Sequence, residues 1–103
     1  MKDKINLNNR ETSVWLQKID DISETKALYK LEAKKEYYLE YMRLGGNFTV
    51  DKETNKVIWE KVVMMDPPGG PYMEIGDIID KNYKIIAMNE YLHLILEYEG
   101  NNN

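Results

Sequence analysis

Cysteine is absent from the chain, and that absence excludes disulfide frameworks, thiolate metal sites, thiol redox chemistry and cysteine nucleophiles together. Histidine is almost absent: His93 is the single imidazole. No second ligand or orienting acid of known proximity accompanies it, so it is read as a structural or exposed side chain, and neither a metal site nor a nucleophile–base pair is expected. No segment approaches the ~18 consecutive apolar residues of a membrane span. The first nine residues are charged and amide-rich with no apolar run behind them, so no secretory leader is expected, no membrane partner, and a cytoplasmic location.

Positive charge is also in short supply. Fourteen Lys and Arg stand against 18 Asp and Glu, a net charge of −4. Clustered cations supply the affinity of nonspecific nucleic-acid binders, so direct nucleic-acid binding is not expected. Neither GxGxxG nor GxxxxGK[ST] occurs, and residues 77–82 lack the alternating oxygen ligands of a calcium loop. No cofactor is implied.

What remains is a chain of 103 residues, read as a single domain with a loosely ordered lead-in at 1–10 and a frayed tail at 100–103. At that length roughly 65% of the unfolded surface can be buried, enough for a core without staples. Abundant Lys, Asn, Ile and Tyr suggest an A+T-rich coding genome, such as that of a low-GC bacterium or one of its phages.

The patterning predicts an α+β fold. From Glu11, the spacing of Val14 or Trp15 with Leu16, Ile19 and Ile22 fits a short amphipathic helix over 12–22, with a strand over 14–19 as the rival. A longer helix is predicted over 24–44. Ser23 can cap it, Gly45-Gly46 can end it, and Ala27, Leu28, Leu31, Tyr38, Leu39 and Met42 fall in one arc, with Lys35 intruding. After the glycines, alternation and turn chemistry predict an antiparallel sheet of four to five strands. A hairpin joins 47–50 to 57–65, with Asp51 accepting local backbone hydrogen bonds and Asn55 taking the left-handed conformation. Strands over 81–88 and 91–98 follow, turned at Asn89-Glu90, and a short extra strand is placed within 72–79. In the last strand Leu92, Leu94, Leu96 and Tyr98 share one face, and His93, Ile95 and Glu97 the other. Segregated helices and strands put the long helix over one face of the sheet.

Two features offer contact chemistry. On the predicted long helix, Lys26, Lys30 and Lys34 form an i, i+4 ridge with Tyr37 and Tyr41 beside its continuation, while Glu32, Glu36 and Glu40 form another. Tyrosine supplies large area with a polar tip, so this face suits a partner or a homodimer seam. The second is Asp66-Pro67-Pro68-Gly69-Gly70-Pro71-Tyr72, a turn or loop whose Asp66, Gly69 and Gly70 could wall a pocket and project Tyr72. Eight tyrosines and two tryptophans exceed what one thin core hides, so some rings are expected at the surface.

These features lead to a non-catalytic protein-binding module, a phage or mobile-element inhibitor or adaptor acting stoichiometrically on a host or defence protein. The alternative is a small-ligand or nucleotide-binding, sponge-type protein that uses the Pro-Gly loop, aromatic rings and Lys30 or Lys34. An enzyme working through carboxylates alone is the third reading.

Overall fold

Side chains along Lys26-Ala27-Leu28-Tyr29-Lys30-Leu31-Glu32-Ala33 alternate with period two, and that segment is the centre of the molecule. A computed structural model describes residues 1–7, 13–39, 44–60 and 73–100, with the side chains of Tyr37 and Tyr38 set aside. Its strands are β1 (Lys4–Asn6), β2 (Val14–Asp21), β3 (Lys26–Ala33), β4 (Phe48–Val50), β5 (Val57–Glu60), β6 (Ile78–Ile79), β7 (Tyr83–Met88) and β8 (His93–Tyr98). Six form one antiparallel sheet in the order β1-β2-β3-β8-β7-β6, curled into a half-barrel, and β4 and β5 form a separate hairpin.

The predicted α+β arrangement is therefore overturned. Among the described residues there is no α-helix, only a 3-10 turn at Glu36–Leu39. The first part of the segment read as a long helix over 24–44 is instead a central strand, Lys26–Ala33, paired with β2 on one side and β8 on the other; residues 40–43 lie outside the described residues. Ala, Leu, Lys and Glu favour helices, but the propensity differences are tenths of a kcal/mol per residue, and two flanking ladders outweigh them. Ser23 does perform the chemistry of a cap: its hydroxyl accepts the N–H groups of Thr25 and Lys26. It does so in the β2–β3 turn, where the same local bond serves a hairpin. The N-terminal helix is likewise replaced by β2, and the lead-in carries a strand of its own, with Ile5 buried beside Leu16.

Two bulges shape the sheet. In β7, Ile85 opposes Leu96 and Ala87 opposes Ile95, leaving Ile86 as the extra residue. Before the bulge Tyr83 and Ile85 face the concave core with Tyr29, Leu31, Leu94 and Leu96; after it, Met88 returns to that core. Ile86 and Ala87 face the other way, joining Leu28 and Ile95 in a second cluster. A matching irregularity between Lys18 and Asp20 turns Ile19 toward that cluster.

The second cluster is roofed by the β4–β5 hairpin, through Phe48, Val50 and Val57. Leu28 and Ile95 are fully buried beneath it, worth about 2 kcal/mol each. Its turn is built as its residues dictate. Asp51 Oδ1 accepts the N–H groups of Glu53 and Thr54, and Asn55 takes φ 60. The hairpin is pinned by Asn47, whose N–H donates to the Met88 carbonyl at 3.1 Å and whose Oδ1 accepts the Met88 N–H at 3.0 Å.

At the opposite end the curl brings the chain's start against the β6–β7 turn. The Lys2 N–H donates to the Tyr83 hydroxyl at 3.0 Å, its ammonium meets Asp80 at 2.6 Å, and the Tyr29 hydroxyl donates to the Lys2 carbonyl. Burial pushes the Tyr29 phenol well above its usual range, with Tyr83 beside it adding to the shift.

Candidate functional groove

Between the β4–β5 hairpin and the β7–β8 turn lies a partly open groove of about 900 Å³, within the range of small-ligand sites. Its floor comes from β3 and β8, where Lys30 and His93 stand directly opposite each other. The hairpin contributes Phe48 and Trp59, and the β7–β8 turn contributes Asn89 and Tyr91. Trp59 is 48% exposed and Tyr91 65%. Both rings are thus available to a flat ligand, as the surplus of aromatic residues led one to expect.

Two polar atoms at this groove have no partner among the described residues: Asn47 Nδ2 and His93 Nδ1, both buried. For Asn47 the orientation is dictated, because Met88 N–H needs an acceptor and takes Oδ1, which leaves the amide nitrogen as a free donor in a residue only 5% exposed. Buried polar groups in folded proteins are almost always paired, and these two atoms stand beside one groove without a partner among the described residues. His93 is half-buried; burial first, and then the Lys30 ammonium, hold its pKa below the usual histidine value. Lys30 itself makes no ion pair with any described residue. Among the described residues the groove also carries Lys52 and one acid, Glu90.

The turn that forms one wall is held by Asn89, whose Oδ1 accepts the N–H groups of Tyr91 and His93 while its own N–H donates to the His93 carbonyl. Three residues separate Asn89 from His93, in place of the two-residue turn predicted at Asn89-Glu90. The last of them, Leu92, takes φ 66.

Among the described residues, Lys30 is the one candidate contact residue from the sequence that lines the groove, where it meets His93, read from sequence as structural or exposed. Lys34 lies in the bend after β3, exposed, its N–H donating to the Ser13 carbonyl. The lysine ridge of a helix is replaced by a strand in which Lys26, Lys30 and Glu32 share a face, so the two charge signs are not segregated. Tyr37 belongs to the 3-10 turn, and its side chain is not described. Tyr41, Asp66, Gly69, Gly70 and Tyr72 lie outside the described residues. Asn47, Trp59, Asn89 and Tyr91 were missed. Trp59 did carry a signal: it sits in a short hairpin strand between exposed neighbours, where a core role is hard to supply.

Among the described residues no group of three or more His, Asp or Glu side chains could hold a metal, and no helix is long and apolar enough to cross a membrane. Set against family models, curated proteins and solved structures, the chain matches none.

Proposed function

We propose that the protein is a non-catalytic binder of a small planar ligand bearing an anionic group, with a nucleotide as the leading class. The ligand's ring lies in the groove against Trp59 and Tyr91, and its anionic group meets Lys30. The observation that carries the reading is the pair of buried atoms, Asn47 Nδ2 and His93 Nδ1, without a partner among the described residues, in a groove that also holds Lys30, unpaired among those residues, and two exposed rings. Stacking on aromatic side chains is worth about 1–3 kcal/mol per base and tolerates any base. A single cation adds a charge-assisted bond to a phosphate or carboxylate.

Calorimetric titration with nucleoside monophosphates tests it. Binding is expected in wild type, at least tenfold weaker in Trp59→Ala and weaker again when Lys30→Gln is added. At ligand concentrations of about 100 times Kd, the midpoint of thermal unfolding should rise by about 10 °C. No heat and no shift at saturating concentrations would remove the reading.

A second reading, stoichiometric binding of another protein, is supported by Ile58, which is 63% exposed next to Trp59 on the bulged strand of the hairpin. Affinity purification from the source cell separates the two. A partner lost on Ile58→Asp but kept on Lys30→Gln favours the protein.

A further inference from the structure

The groove is one end of a longer feature. Register places Lys4 opposite Gln17, Gln17 opposite Lys30, and Lys30 opposite His93. Directly opposed residues in an antiparallel sheet share a face. Residues from β1, β2, β3 and β8 therefore form one row across the sheet, and the row enters the groove at its last two members. At about 4.8 Å per strand, Lys4 stands about 10 Å from Lys30 along the row.

The row contains two lysines and no carboxylate, on a chain whose net charge is −4. Lys4 is held against this face, with its ammonium 4.6 Å from the centroid of the Trp15 ring, a cation–π contact. It makes no ion pair with a described residue. Acids on this face flank the row: Glu32 opposite Trp15, Asp20 opposite Leu28, and Glu90 at the groove. Lys4 thus stands with Trp15 at one end of the row, and at the other Lys30 and His93 line the groove that also holds Trp59 and Tyr91.

We propose that the ligand is a nucleotide carrying two or more phosphate groups, its base in the groove, its first phosphate at Lys30 and a further phosphate at Lys4. This rests on the groove being a nucleotide site. The second phosphate can belong to a polyphosphate chain on one nucleoside or to the next unit of a dinucleotide; both present spaced anions to a line of cations.

The experiment is calorimetric titration of wild type, Lys4→Gln and Lys4→Arg with four probes: one nucleoside as its mono-, di- and triphosphate, and as a 5′-phosphorylated dinucleotide. In wild type the best multiphosphate probe is expected to bind at least tenfold tighter than the monophosphate. Lys4→Gln should erase that gain and leave monophosphate binding unchanged, while Lys4→Arg keeps it. The salt dependence of the multiphosphate probe, as log K against log salt, should flatten by about 0.7 in Lys4→Gln. Whether triphosphate or dinucleotide binds tighter identifies the source of the second phosphate. Equal affinity for all probes, or a gain that survives Lys4→Gln, overturns the proposal while nucleotide binding stands. Failure of every probe, monophosphate included, overturns both.

Discussion

Leu92 holds its backbone at φ 66, a region that costs a side chain with a Cβ about 1–2 kcal/mol. Its carbonyl accepts the Leu31 N–H at 2.8 Å and its side chain packs against the concave core, so the surroundings over-determine the conformation. The two demands can be separated. Leu92→Gly relieves the strain and loses the packing, for a net change within about 1 kcal/mol. Leu92→Val keeps most of the apolar area but puts a β-branched residue at positive φ, and should cost about 1–2 kcal/mol more than Leu92→Gly in urea unfolding. The more hydrophobic replacement is expected to be the less stable. Leu92 and Asn55 also mark what single residues disclose. Asn55 was legible as a left-handed residue because its side chain tolerates that region. Leu92 was not, because nothing in leucine's chemistry favours it and only the turn's closure by Asn89 imposes it.

β8 could be read from its alternation because His93 and Glu97 flank Ile95 on its second face, and the β4–β5 turn from its Asp and Asn chemistry. β3 resisted, since the hairpin covers its second face and Leu28 must be apolar there as well as Ala27, Tyr29 and Leu31 on the first. The result mimics a helical arc. A warning was present: the helix required Lys35 inside its apolar stripe and left Tyr29 outside, yet Tyr29 is fully buried. The candidate groove was less legible still, because it depends on where the hairpin docks. That docking hangs on Asn47. Asn47→Ala strands a buried Met88 N–H and should cost about 1–3 kcal/mol by denaturant titration. Binding of nucleotide should fall in the same variant at temperatures where it remains folded.

For the molecule as a whole, His93 couples stability to pH with a definite sign. Its pKa is lowered on folding from 6.5, so below that value the unfolded chain takes up the proton first. Its contribution is fully present above pH 6.5 and is lost as pH falls toward the folded value. Free protein should therefore lose stability as pH falls below about 6.5, and His93→Gln should flatten that loss. Anion binding runs the opposite way. The groups around the imidazole are Lys30 opposite it, with Lys52 and Glu90 on the groove, and a bound phosphate offsets the lysines and favours protonation. Affinity for an anionic nucleotide should rise over the same interval as stability falls, a crossing that paired calorimetry and thermal melts would reveal.

The clasp at Lys2 sets an order of events in synthesis. Lys2 is tied to Tyr83, 81 positions away, so this early segment has no seat until the strand that receives it has been made. Contacts of such span are slow to find, so β1 can pair with β2 early while the residues before it wait for Tyr83 and Asp80. A bulky fusion attached before Met1 would press on that late-closing joint, whereas a variant that weakens it would be expected to delay the final ordering step more than the hairpins that form first.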